Sequence, residues 1–450
     1  MSAAPMRAAP LTSERAYRVF LLLNFTRWFP VGFVVGIFVL IMTNRGLTIA
    51  QAMTAAAVSG FVCFALELPT SGFADAFGRR AVYVAAAGIN VVTGAAYLFA
   101  QNFWQFVGAA ALMGAFRALD SGPLEAWFVD TVHESAPGAD VDQELSKQGT
   151  VLGVGMAAGA LLSGALIWWH PIKAFPAIDL AVAVFAALNI VHLVATLTLL
   201  KERPRTIATG EQERRALASV KEAPTVIKDG LLLLGRNRVL LGLIVAEICW
   251  SVGMVAFESL LPLRLEEMLG SAQAAGALMG PVASVGWGIF ALGTWLAGQL
   301  SKRWGVARAA MLGRGLNALG VIVMGLALTP VQLIAAYLFT YTMHGLNGPP
   351  HSALLHREAE ARNRSTVLSI NSMFAFLAFG IAGPLAGLLA DHASIHLAML
   401  TVGVVSMLGV VAYLPARRAE RLRESQPTAY GDDGEVPDPG GHATDQPGPA

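Results

Sequence analysis

The sequence predicts an all-α membrane protein, with twelve transmembrane helices in two pseudo-symmetric six-helix bundles, and three observations support that fold class. The 450 residues are 55% hydrophobic and only 14% charged, with a mean hydropathy of +0.58, whereas soluble domains carry about 45–50% apolar and about 25% charged residues. The charges gather in short clusters between apolar runs long enough to cross a bilayer. The chain also aligns with itself at a shift of 227 residues, which carries Gly78 onto Gly305.

A hydrocarbon layer about 30 Å thick takes about 20 mostly apolar helical residues to cross, because a helix satisfies its own backbone polar groups there. Twelve stretches qualify: 17–43, 48–70, 81–100, 103–130, 148–169 and 177–200, then 238–263, 274–298, 307–328, 331–353, 366–390 and 395–415. The first is too long for a signal-peptide core and lacks a small-residue cleavage site, so it stays as a span. The expected units are a six-span bundle over 1–200, a linker over 201–237, a second bundle over 238–415 and a tail over 416–450. The linker is charged, and its later part is weakly amphipathic and broken by Pro224, as in a connector lying on the membrane surface. The tail is rich in Pro, Gly and Asp, too polar to bury a core, and expected to be disordered.

Orientation follows from the loop cations. One side holds Arg7, Arg15, Arg18, Arg79, Arg80, Lys147, the basic stretch 201–238, Lys302, Arg303, Arg308, Arg357, Arg362, Arg364 and the run 417–423; the other holds only Arg45, Lys173 and Arg264. Both termini are therefore expected in the cytoplasm of a bacterial cell, with the spans in its inner membrane. The net charge of +1 is a balance of separated patches and favours no nucleic-acid partner. Cys63 and Cys249 both lie in apolar spans, which suits packing better than a disulfide or a thiolate metal site. No cofactor and no metal is expected; the expected partners are the bilayer, a small-molecule substrate and protons, with the chain acting as a monomer.

The loop after the second span runs Ser71-Gly72-Phe73-Ala74-Asp75-Ala76-Phe77-Gly78-Arg79-Arg80, and its repeat after the eighth runs Gly298-Gln299-Leu300-Ser301-Lys302-Arg303-Trp304-Gly305-Val306. A tight turn calls for Gly78, while Asp75, Arg79 and Arg80 sit at the membrane surface, where charge is tolerated and can latch helices together. This loop resembles the G-x-L-A-D-R-x-G-R-R signature of the major facilitator superfamily, and the resemblance extends over about residues 17–415. It implies paired six-span halves with binding at their interface. It also implies that Asp75 and Arg79 cluster with Asp130, at the end of the fourth span, to lock one access state. Glu67 is a further candidate for this latch. Lys302 and Val306 replace the acid and base in the second copy, so the latch is expected in the first half only. A charged turn that merely fixes topology is the plainer alternative.

Ionisable groups inside spans cost several kcal/mol unless paired or hydrated. The fourth span carries Arg117, Asp120 and Glu125, which a continuous helix at 100° per residue would direct into one cavity. Arg117 resembles the fourth-span arginine of the family's proton-coupled exporters. A carboxyl beside a buried guanidinium changes protonation when their separation changes, so Asp120 first and Glu125 second are candidate coupling groups; structural neutralisation of Arg117 is the alternative. Arg27 in the first span calls for an acid from the second or fourth. In the seventh, Glu247 is deep, while Glu258 lies near the outer boundary, where solvation would serve it as well. The repeat sets His344 and Asn347 of the tenth span at the positions of Arg117 and Asp120; His344 is a candidate substrate or proton ligand, or a packed core residue. Asn189 and His192 are weaker candidates. Glycines at 149, 153, 155, 159 and 164, and at 380, 383 and 387 around Pro384, allow close helix approach.

No DDxxD, HExxH, G-x-S-x-G or Walker motif occurs, so neither an embedded enzyme nor an ATP-driven pump is expected. The segments Glu67-Leu68-Pro69-Thr70-Ser71-Gly72 and 122–130 resemble branches of the superfamily usually assigned to efflux. Proton-coupled export of a small hydrophobic or amphiphilic compound is the leading expectation. Import of a small organic anion or nutrient, suited to Arg27 and Arg117, and a transporter-like sensor without flux remain open.

Overall fold

The computed structural model describes residues 12–70, 72–202, 209–359 and 364–425; Ser71 of the loop motif, Arg7, Arg362 and the tail beyond residue 425 lie outside it. Among the described residues all regular structure is helical, and ten helices are long and apolar enough to cross a membrane. The other two expected spans depart from that standard for visible reasons. Residues 103–130 do not form one helix: Phe103–Asp120 stops at Ser121, Gly122 takes a left-handed conformation with φ of 91°, and Pro123 opens a new helix, Pro123–Ser135. The helix Pro330–Glu358 is long enough, but Tyr337, Thr340, Tyr341, Thr342, His344 and Asn347 dilute its apolar character.

The first helix, Ser13–Val35, packs on Asp142–Trp169 and Ala177–Leu199, and Arg79–Phe99 packs on Phe103–Asp120. After the linker, Val306–Leu326 packs on Pro330–Glu358 and Ile395–Leu408. The two most extensive contacts between the halves of the chain set helix 142–169 against Ala272–Trp304, and Ile49–Thr70 against Arg364–His392.

Glycine makes some of these approaches possible. A Cβ on Gly159 would lie 2.3 Å from the Phe29 carbonyl oxygen, and one on Gly164 would lie 2.7 Å from Cα of Gly280 in the other half. Gly149 and Gly153, expected to act likewise, have open space instead.

The buried clusters are unequally shared. At the end away from the linker, one large core draws Ile37, Leu40 and Met42 together with Phe257, Leu261 and Met279, so both halves close on each other there. Asp391 adds to that closure by accepting hydrogen bonds from the Ile49 and Ala50 backbone N–H groups, at 3.0 and 2.8 Å. At the linker end the cores are separate, one around Phe20, Tyr83 and Trp127 and another around Leu243, Leu354 and Tyr413. The linker itself forms one helix, Thr209–Arg236, that continues through Pro224 rather than breaking there. It packs on helices 49–70 and 364–392, and such tertiary contacts offset the lost backbone hydrogen bond.

Candidate functional site

Asp120 is the last residue of its helix, and the chain breaks at Ser121 and Gly122 before the next helix opens at Pro123. Its Oδ2 accepts a hydrogen bond from Arg27 Nε at 2.9 Å, with the two side chains only 16% and 6% exposed. The Arg27 guanidinium is held between the rings of Phe116, at 4.3 Å, and Trp28, at 4.5 Å, a geometry in which cation–π attraction is worth about 2 kcal/mol when desolvated. Its Nη1 is buried with no hydrogen-bond partner. Asn24, Arg27, Tyr83, Asp120, Glu125 and Gln148 line a cavity of about 170 Å³, and Gln148 donates to Glu125 at 2.5 Å. Asp120 and Glu125 thus share a cavity as expected, but through the bend at Gly122 and not along one helical face.

Arg117 is the member of the expected trio that lies elsewhere. It is exposed and stacks at 5.1 Å on Phe376 of helix 364–392, across the gap between the halves. The pairing of Arg117 with Asp120 is therefore corrected: although both lie on helix 103–120, Asp120 bonds to Arg27 while Arg117 stacks on Phe376. Glu67 faces Arg117 electrostatically and makes no ion pair with Arg79 or Arg80 among the described residues, so it is not part of the surface latch.

In the second half, Glu247 and Arg314 form a buried ion pair. Arg314 Nε donates to the Tyr413 hydroxyl at 3.0 Å, and that hydroxyl lies 2.7 Å from His351 Nδ1. His351 Nε2 lies 3.3 Å from Glu247 and 3.2 Å from Asn371 Oδ1, which closes the network over five elements. Arg314, His351 and Tyr413 are not among the residues that sequence patterns single out, because they come from different helices, with Arg314 and Tyr413 99 residues apart and Tyr413 and His351 62 apart. An arginine in an apolar stretch was the available signal for Arg314.

His344 sits in an aromatic cluster, 5.2 Å from Trp250 in a stacked arrangement and 5.1 Å from Phe290. Asn347 is buried beside Gly313. Neither lines the Arg27–Asp120 cavity. His192 bonds to Thr26 at 2.9 Å, and Asn189 to Asn90 at 3.1 Å, as packing residues do.

At the linker end Arg79 bridges Asp75, at 2.7 Å, and Asp130, at 3.5 Å. Arg80 instead donates to the carbonyl oxygens of Leu200 and Leu197, at 2.7 and 3.3 Å, at the end of helix 177–199. Gly78 and Gly305 adopt nearly the same backbone, φ/ψ of 96°/150° and 88°/154°. In both copies a distant carboxylate caps the helix that follows: Glu202 accepts from the Arg79 and Arg80 N–H groups, and Glu420 from those of Val306 and Ala307. Glu420 also pairs with Arg357 at 2.9 Å, and Arg357 is the repeat counterpart of Asp130. The second copy thus carries its own ion pair, with a base where the first half has an acid.

Residues 20–362 and 329–437 match the family model of the Major Facilitator Superfamily. The chain belongs to that superfamily. It is accordingly a multi-pass membrane transporter and not an enzyme. Its fold is similar to that of solved superfamily-type transporters. The nucleoside transporter NupG aligns at TM-score 0.69 with 13% identity over 89% of this chain and 98% of that one. A variant of the peptide transporter POT in complex with sulfate aligns at 0.72 with 15% identity over 93% and 97%. A structure titled for substrate recognition in proton dependent oligopeptide transporters aligns at 0.65 with 14% identity over 90% and 100%. No curated protein sequence matches the chain significantly.

Proposed function

We propose that the chain is a proton-coupled secondary transporter that exports a small hydrophobic or amphiphilic compound by alternating access, with twelve spans in two six-helix bundles and the linker in the cytoplasm of a bacterial cell. The observation that carries this reading is the 2.9 Å contact of Asp120 with Arg27 inside a polar cavity. Protonation of Asp120 frees Arg27, and ionisation re-forms the pair, so proton and substrate compete for one set of contacts. The separate cores at the linker end and the joined core at the other support the reading of a molecule open toward the basic loops. A site filled from that side suits export, and rocking of the two halves would carry it to the other.

The test is flux in proteoliposomes with an imposed pH gradient, using a panel of amphiphilic compounds. Gradient-dependent movement of at least one compound supports the reading, and binding without any flux would favour a sensor. A second reading, movement of a polar solute, is favoured by the neighbours named as nucleoside and peptide transporters; adding nucleosides and dipeptides to the same panel separates the two.

A further inference from the structure

The seventh span contains a five-residue π-helical stretch, Ala256–Leu260, with Glu258 at its centre. A π turn fits one extra residue into the helix and is found mostly at functional positions. Here Glu258, expected near solvent, instead faces a small cavity walled by Phe257, Trp287, Tyr337 and Tyr341. The Tyr337 and Tyr341 rings are 5.1 Å apart, and Trp287 meets Tyr341 at 6.0 Å and 72°. Among the described residues Glu258 forms no ion pair with any Lys, Arg or His.

We propose that Glu258 and these aromatic side chains form a binding site for a primary ammonium head group, separate from the Arg27–Asp120 cavity. The Tyr341 side chain hydrogen-bonds to Glu258, but aromatic faces attract a cation, and a carboxylate without a counter-ion in an apolar setting gains most from a ligand that brings the opposite charge. The hydroxyls of Tyr337 and Tyr341 give the ammonium further hydrogen-bond acceptors. Size selects the head group. The cavity of about 10 Å³ is at the lower limit for one water-sized group, so it suits –NH₃⁺ better than a trimethylated nitrogen.

Val35 and Gly36 of the first half complete the wall, so the site lies on the seam that rocking would open, and opening of that seam would make room for the apolar body of the ligand. The identity of the ligand as cargo rests on the transport reading; its binding does not.

The experiment is a titration of purified protein in detergent, read by tryptophan fluorescence, since Trp287 lines the site. The probes are 2-phenylethylammonium, 2-phenylethanol and N,N,N-trimethyl-2-phenylethylammonium. Saturable binding of the primary amine is expected, with the alcohol and the trimethylated form roughly tenfold weaker or worse. Glu258→Gln is expected to lose this preference, and Asp120→Asn to keep it, whatever that variant does to flux. Equal binding of alcohol and amine by the wild type, or an unchanged amine affinity in Glu258→Gln, overturns the proposal; a protonated, structural Glu258 would give that result. If Glu258→Gln does not fold, discrimination among the three probes by the wild type decides.

Discussion

Asp120 bonds to Arg27, 93 residues away, and not to Arg117, one helical turn away on its own helix. The difference separates two arginines that look equivalent as intramembrane cations. Arg27 is buried, caged by aromatic rings and paired, whereas Arg117 reaches across the gap to Phe376. On the proposed function, coupling chemistry belongs to the first, and the second stands where substrate would pass between the halves.

The Glu247–Arg314 pair is expected to be chiefly structural. Glu247→Gln leaves a buried guanidinium without its counter-charge, at a loss of roughly 3–5 kcal/mol. A fall in melting temperature measured in detergent, clearly larger than that for Lys302→Asn at an exposed site, is the expected result; matched melting curves would count against a structural role.

Helix approach gives a second stability contrast. Gly159→Ala forces a methyl against the Phe29 carbonyl oxygen and is expected to destabilise by roughly 1–3 kcal/mol. Gly149→Ala, with open space around it, is expected to be neutral or slightly stabilising. Thermal unfolding of the two variants side by side checks this, and the reverse order would refute the packing argument.

Much of this was legible in the sequence, and the remainder was not for identifiable reasons. Hydropathy located the ten helices that are long and apolar enough to cross a membrane, among twelve expected, and the 227-residue repeat is visible in the matching backbone of Gly78 and Gly305. The bend at Gly122 was signalled by Gly122-Pro123, and it changes the course of the chain to Glu125; the pairing of Asp120 with Arg27 instead of Arg117 depends on how helices 13–35 and 103–120 pack, which a helical wheel does not specify. The closed network of Glu247, Arg314, His351 and Tyr413 depends on how helices rotate against each other, which periodicity within one helix does not specify. The same holds for Glu202 and Glu420, surface acids whose capping role appears only when chain ends meet loops. The π turn that moves Glu258 inward leaves no mark in composition at all.

At the linker end, Asp75 and Asp130 are half exposed or more around Arg79, so each contact alone is worth about 0–1 kcal/mol. Their effect is expected on the balance of access states and not on folding. Asp75→Asn should impair flux more than Lys302→Asn at equal expression and unchanged melting temperature; equal transport by both variants would remove the latch.

The loop cations predict that the helix ending at Ser425 lies on the cytoplasmic side. A cysteine introduced at Ser425 should resist an impermeant thiol reagent in intact cells and react after permeabilisation. Labelling from outside would invert the topology and with it the direction of transport.

The central claim is that the Asp120 proton couples transport. Asparagine at this position holds the neutral state, so Asp120→Asn is expected to bind and exchange substrate in proteoliposomes while losing accumulation driven by a pH gradient, with Glu125→Gln affected less because Gln148 already satisfies that carboxylate. Gradient-driven accumulation by Asp120→Asn equal to that of the wild type would contradict the account and move coupling away from the Arg27–Asp120 cavity.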